Sequence, residues 1–334
     1  MMPTTTNKNT KSKSLLLQLG VVLVVLGVFA VAFTQRQALI DWLKLRGYTA
    51  PAAVTQLTVE DTMTPYARKV FYVNKPALED KTAFTQCKIG GEQSIVLGCY
   101  HGPQNGIFVL TVTDPRLEGV EQVTAAHEML HAAYDRLSSS ERADIDRQLR
   151  AYFNNGLKDE RVRQTIDAYR SSEPNDITNE MHSILGTEVN DLPASLEKYY
   201  TRYFDDRSKV VAFAVQYQAE FTSRQDAIKA NDAQLKELKV QIDALQADLK
   251  TRQKDLDDES ARMQQLQNSG DSRAYNAGVP AFNASVNSFN AEVSRVQSLI
   301  DRYNALVATR NSIVLEAQQL TNEIDSKVAP AGSR

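Results

Sequence analysis

The chain lacks any excess of positive charge: 38 Lys and Arg stand against 41 Asp and Glu over 334 residues, for a net charge of −3 and a pI near 5.9. Without a broad basic surface, nucleic acid is not an expected partner. Cysteine is scarce, at two residues. Aromatic side chains thin out toward the C-terminal third, where Gln, Asn, Asp, Lys and Ala take over. Such a segment builds helices but not a thick core. The chain exceeds one average domain, so a compact domain followed by something extended is the expectation.

One long apolar run is present. Over residues 15–33, about 19 positions, Gln18 is the only strongly polar side chain, which at 1.5 Å per residue approaches the roughly 30 Å hydrocarbon core of a bilayer. It predicts a transmembrane helix or signal anchor over residues 15–34, with a signal peptide cut near Ala30-Val31-Ala32 as the alternative. Lys8, Lys11 and Lys13 precede the run without an acid among them, whereas Arg36, Lys44 and Arg46 beyond it are partly offset by Asp41. That asymmetry puts the short tail, 1–14, in the cytoplasm and the body of the chain outside, as a single-pass protein of the cell membrane with Trp42 suited to the interface. Cys87 and Cys99 flank Gly90-Gly91 and read as two short strands around a tight turn; in an exported chain such a pair forms a disulfide. The competing reading, a metal site using both thiols and His101, lacks a fourth ligand at suitable spacing.

Beyond a juxtamembrane linker, residues 35–56, strand-like pieces are expected at 70–73, 94–97 and 106–112, where Gly, Pro and β-branched residues favour strand over helix. From Val120 the pattern is helical. One helix ends near Leu137, and Ser138 with Glu141 forms a capping box for the next, which stops near Gly156. Further helices cover 159–169 and 177–185, the latter with Gly186 as its stop, and Pro193 opens a long one. After Asp226 a heptad appears: Ile228, Leu235, Ile242, Leu249, Leu256 and Met263 share one position, with Leu238, Leu245 and Leu266 in the companion position. The apolar 3,4 spacing resumes from Phe282 to Ile324. Arms of about 39 and 43 residues, roughly 60 Å each, around a Gly/Pro-containing break predict an antiparallel coiled-coil hairpin. Two helices of a larger bundle, or a parallel dimer, are the alternatives.

The chemical signal is His127-Glu128-Met129-Leu130-His131. Positions i and i+4 of a helix share a face, so both imidazoles can reach one Zn²⁺ while the intervening glutamate holds the water to be activated. The residues around the motif, from Val123 to Tyr134, are uncharged, as expected of a helix buried behind a cleft. A structural His pair with Glu128 in a salt bridge is the alternative, but burying three polar groups on an apolar helix without a metal is costly.

These residues resemble the zincin metallopeptidases, whose active-site helix carries HExxH and whose adjacent edge strand holds an extended peptide. The resemblance is firm over about 106–137 and weaker to Glu188. It implies that His127 and His131 are zinc ligands and Glu128 the general base. The metzincin pattern is excluded, because Tyr134 and Leu137 stand where it needs glycine and histidine; short-spaced gluzincins fit badly, with Arg150 and Ala151 at their third-ligand position. Asn179-Glu180 on a later helix looks like the gluzincin arrangement in which the glutamate completes the site, so Glu180 is the expected third ligand and His182 the alternative. Two residues apart on a helix, they point different ways. With Glu180 as the ligand, His182 is expected to donate to the developing oxyanion, and Glu188 and Asp191 to orient a ligand histidine.

The expected fold is thus an α+β zincin-like catalytic domain, a small antiparallel sheet plus helices, over 57–205, then a helical coiled-coil hairpin over 206–326 and a disordered tail, 327–334. The expected function is zinc-dependent hydrolysis of peptide bonds in a protein or peptide substrate outside the cytoplasm. The membrane would be engaged through the N-terminal helix, and the hairpin would be open to a protein partner. The rival expectation is a non-catalytic envelope scaffold acting through its coiled coil.

Overall fold

The computed structural model describes Val21, Gly27 and residues 34–87, 95–172 and 176–327. Residues 15–33 of the expected membrane segment (those isolated positions apart), the tail 1–14, the Gly90-Gly91 turn and the C-terminal tail from 328 lie outside the described residues. Among the described residues no helix is long and apolar enough to cross a membrane. The chain is α+β, mostly helical, with a three-stranded sheet and a long C-terminal helix hairpin. The described residues divide into two compact units: those up to 112, those of 118–215 and 326–327 form one, and 113–117 with 216–325 the other.

The first unit holds α1 (Arg36–Leu45), α2 (Ala52–Glu60), α3 (Pro65–Val73), β1 (Ala77–Glu79), β2 (Gly98–His101), β3 (Gly106–Leu110), α4 (Val120–Tyr134), α5 (Ser139–Asn155), α6 (Glu160–Ser172), α7 (Ile177–Glu188), α8 (Ala194–Tyr200) and the start of α9 (Arg207–Asn268). The sheet is mixed, where an antiparallel one was expected. β3 is central, pairing antiparallel with β2 (Cys99 opposite Phe108) and parallel with β1 (Ala77 opposite Phe108). The chain passes from β1 to the far edge and folds back into the gap, so β3 runs alongside β1.

Residues 70–73, expected as strand, belong to α3. Thr64 caps that helix by accepting the Ala67 N–H at 3.2 Å, Pro65 occupies its first turn, and Ala67, Val70 and Phe71 recur at helical spacing on its buried face. Burial at a 3,4 period outweighs the strand preference of Val, Phe and Tyr. Residues 95–97 lie outside any strand, which begins at Gly98. The capping box of Ser138 and Glu141 opens α5, and Gly156 follows its end. Gly186 is not a stop: it lies inside α7, where a Cβ would meet Leu130 Cδ1 at 2.6 Å and Tyr200 Cε1 at 2.7 Å. The helix after Pro193 is short, ending at Tyr200, because Tyr203 and Phe204 are drawn into pairing with residues 62–64. Thr64 N–H donates to the Tyr203 carbonyl at 2.9 Å and Asp205 N–H to that of Thr62 at 2.8 Å.

In the second unit the remainder of α9 pairs antiparallel with α10 (Ser272–Ile324). Leu238, Ile242, Val296 and Leu320 are buried, Arg310 bonds Asp232 across the arms at 2.8 Å, and Arg224 approaches Glu316 at 3.5 Å. The turn uses Gly270 at φ +76°, and Asp271 caps α10 by accepting the Ala274 N–H at 3.0 Å. Gly278 and Pro280, expected within the break, lie inside α10. Pro280 forfeits one helix bond there. A Cβ on Gly278 would stand 2.8 Å from Met263 Sδ, so the arms close tightly just past the turn.

Candidate metal centre

The centre is built on two helices that water barely reaches. α4 begins after Gly119, whose φ of +101° favours glycine and whose absent Cβ leaves room for the Phe213 carbonyl, 2.8 Å from where that Cβ would be. From there Val123, Ala125, Ala126, Met129, Leu130, Ala132 and Ala133 are all buried. A helix apolar around most of its circumference belongs in a core, and full burial of residues such as Met129 and Leu130 contributes roughly 1.5–3 kcal/mol each. α7 packs against it, buried from Ile177 to Thr187. Into this pair the sequence inserts His127, Glu128, His131 and Glu180.

The structure brings His127, His131 and Glu180 together. The two Nε2 atoms lie 3.0 Å apart. Glu180 Oε1 is 3.4 Å from His131 Nε2, and its Oε2 is 3.8 Å from His127 Nε2. One ligand atom from each residue lies within 4.8 Å of the other two. Tetrahedral coordination with bonds of roughly 2.0–2.1 Å sets neighbouring donors about 3.3 Å apart, so this buried set fits a metal ion. Its make-up, HExxH plus a glutamate from a second helix, resembles a zincin site.

Electrostatics divide the labour. Burial and the neighbouring His131 and His182 hold His127 well below the usual imidazole range. Burial also opposes charge on His131, but Glu180, Glu128, the adjacent Asn179 and Asp176 outweigh it and raise its pKa. Burial lifts the Glu128 carboxyl to about 7; Glu180 adds to the rise, while His131 and a hydrogen bond from the Tyr100 backbone N–H oppose it.

Tyr100 lies on β2, an edge of the sheet, so its N–H points away from β3 and toward α4. A Cβ on Gly98 would meet Thr124 Cγ2 at 2.5 Å and Glu128 Cγ at 3.0 Å. The absence of that atom lets β2 run flush against the motif. The expected strand at 106–112 is the central one, and the edge beside the motif is β2. The disulfide between Cys87 and Cys99 ties β2 to the preceding segment, and it consumes both thiols of the alternative metal site. A disulfide indicates an oxidising, extracytoplasmic compartment.

His182 sits in a cage of Tyr134, Tyr199, Tyr200 and Tyr203, with ring centroids 5.3–6.0 Å away. It is fully buried, its Nε2 is 2.9 Å from the Tyr199 hydroxyl, and that hydroxyl is 3.1 Å from Tyr203's. Burial, then His131, pushes its pKa down to about 3, so the ring is neutral. Sequence reasoning missed this cage, although Tyr199, Tyr200 and Tyr203 in the stretch KYYTRY carry the 3,4 spacing that puts tyrosines on one side of a helical turn. Glu188 pairs with Arg161 at 2.6 Å, and the Asp191 carbonyl accepts the Tyr152 hydroxyl at 2.8 Å.

No protein-family model, curated protein or solved structure matches this chain.

Proposed function

We propose that this chain is a membrane-anchored, zinc-dependent peptidase acting on proteins or peptides outside the cytoplasm. The observation that carries the reading is the convergence of His127, His131 and Glu180 from two buried helices, with Glu128 beside them under the edge of β2. His127, His131 and Glu180 would hold Zn²⁺, which when bound would supply Lewis acidity for water activation and for polarising a carbonyl oxygen. Glu128, beside the three ligand residues, is placed to accept the proton from water and return it to the departing amine nitrogen. Tyr100 N–H fixes the carboxylate's direction, and the rest of the outward edge of β2 offers backbone groups to an extended substrate, as in the zincins. His182 stays neutral and positions the half-exposed Tyr199 through the contact between its Nε2 and the Tyr199 hydroxyl. The hairpin of α9 and α10 is the surface for a protein partner.

The test is hydrolysis of a mixed peptide library by the full chain in detergent, with and without a zinc chelator, beside Glu128→Gln. Chelator-sensitive cleavage absent from the variant supports the reading. Equal cleavage by parent and variant removes it, and no cleavage by a zinc-loaded parent favours the scaffold alternative.

A further inference from the structure

The helix that follows the apolar run is packed inside out. α1 turns Gln37, Asp41 and Lys44 toward the first unit, while Leu39 (52% exposed), Ile40 (40%), Trp42 (58%) and Leu43 (55%) face outward. At about 100° per residue, Leu39 and Leu43 point almost diametrically away from Asp41, with Trp42 and Ile40 on the flanks. A helix on a water-facing surface is arranged the other way.

The inward face is fixed by charge. Asp41, 2% exposed, accepts hydrogen bonds from both terminal nitrogens of Arg136 at 3.0 and 2.9 Å and from Gln37 at 2.8 Å, and Lys69 Nζ lies 3.1 Å away. Lys44 donates to the Gln104 carbonyl. Rolling the helix to bury its leucines would strip Asp41 of these partners and leave Arg136 unpaired. The apolar face therefore stays outward, and something other than this unit must cover it.

Two features select the cover. The apolar run ends at Phe33 and α1 begins at Arg36, so α1 starts within about 10 Å of the run's end. The outward arc carries no acid, and Arg36 and Arg46 stand at its two ends, with the Arg46 guanidinium 5.6 Å from the centre of the Trp42 ring. Tryptophan and arginine around a leucine stripe suit the headgroup layer of an anionic bilayer.

We propose that α1 is an interfacial helix whose Leu39, Trp42 and Leu43 lie in the headgroup and upper acyl layer of the bilayer that the preceding run enters. This inference rests on reading residues 15–33 as a membrane segment and is independent of the metal chemistry. It has a consequence for the site. Arg136 lies two residues beyond α4, so the ion cluster ties the membrane-facing helix to the helix that carries His127 and His131. The site is then held at a set height and angle over the lipid surface, which favours substrates already lying there.

Trp42 is the single tryptophan of the chain, which makes it a built-in probe. The full chain would be reconstituted into vesicles of phosphatidylethanolamine and phosphatidylglycerol, with companion vesicles brominated near the top or the bottom of the acyl chains. The expected result is blue-shifted emission, loss of most intensity with shallow bromine, a smaller loss with deep bromine, and little quenching by aqueous iodide. Leu39→Gln together with Leu43→Gln should shift the emission back toward the red and restore iodide quenching, with circular dichroism unchanged. The parent's quenching decides the matter even if that variant misfolds. Iodide-accessible Trp42 that bromolipids leave unquenched, in a chain that floats with the vesicles, overturns the proposal. So does Trp42 shielded from both quenchers, which would mean that a protein surface, such as a second copy, covers the helix. A chain that fails to float with the vesicles overturns it too.

Discussion

Loading the centre with zinc should stabilise the first unit by an amount that can be stated in advance. Metal that binds the folded state and not the unfolded one adds RT ln(1 + [L]/Kd), about 2.7 kcal/mol at a free concentration of 100 times Kd. For a domain of roughly 150–250 residues each kcal/mol moves the midpoint about 2–4 °C, so the expected rise is about 5–11 °C. The ligands come from both α4 and α7, so the metal joins the two central helices and the whole unit should feel it. Calorimetry of chelator-stripped protein titrated with zinc, against magnesium as a control, reads the shift directly. His131→Ala and Glu180→Gln should each abolish it. Glu128→Gln should keep it, because Glu128 stands beside the three ligands and is not one of them. No rise with zinc, or the same rise in His131→Ala as in the parent, would refute the ligand assignment.

Glu128→Gln should lower peptide hydrolysis by roughly 10²–10⁴-fold while zinc content, measured by elemental analysis, stays at the parent level. Gly98→Ala forces a contact at 2.5 Å with Thr124 Cγ2 and should cost activity; Thr124→Ser removes that atom and should restore part of it in the double variant, and no rescue would place the defect elsewhere. Arg136→Met strips the buried Asp41 of its bidentate partner while leaving Lys69 and Gln37, and should destabilise by roughly 1–3 kcal/mol in urea unfolding, whereas a loss near zero would mean the cluster does not hold α1. Asp61 is fully buried with neither carboxylate oxygen hydrogen-bonded among the described residues, and burial followed by Glu60 raises its pKa well above the usual range. The folded state then keeps a proton that the unfolded chain has released, so stability falls by about 1.4 kcal/mol per pH unit as pH rises between the two values. Asp61→Asn should accordingly melt higher than the parent at pH 8, with the gap narrowing toward pH 4; a gap constant with pH would show that Asp61 does not titrate there.

What could be read from the residues was whatever depends on short, periodic spacing. His127 and His131 share a helix face by their separation, the Ser138 and Glu141 box marks a helix start, the heptads mark the hairpin, and the two cysteines pair. Glu180 could be reached because the resemblance asks for a glutamate on a second helix. What could not be read depends on neighbours distant in sequence. Residues 70–73 have strand composition, but a capped first turn and a buried 3,4 face make them helix. Gly186 looks like a stop until Leu130 and Tyr200 are seen pressed against it. The helix end at Tyr200 exists because residues 203–205 bond residues 62–64, more than a hundred positions earlier. The tyrosine cage of His182 likewise draws on α4, α7 and α8 at once.

The same contacts explain how His127, His131 and Glu180 are kept in register as a candidate metal site. Three glycines mark places where other elements approach the motif helix more closely than a side chain would allow: Gly119 against Phe213, Gly98 against Thr124 and Glu128, and Gly186 against Leu130. Each removes a degree of freedom. Gly119 seats the start of α4, Gly98 fixes the edge strand over Glu128, and Gly186 sets the spacing of α4 and α7, on which the distance from His131 to Glu180 depends. Functional constellations tolerate errors of only about 0.5 Å, comparable to what one methyl group at any of these contacts would impose. Enlarging these glycines should therefore disturb the metal geometry before it unfolds the domain, because the buried apolar faces of α4 and α7 remain while their separation changes.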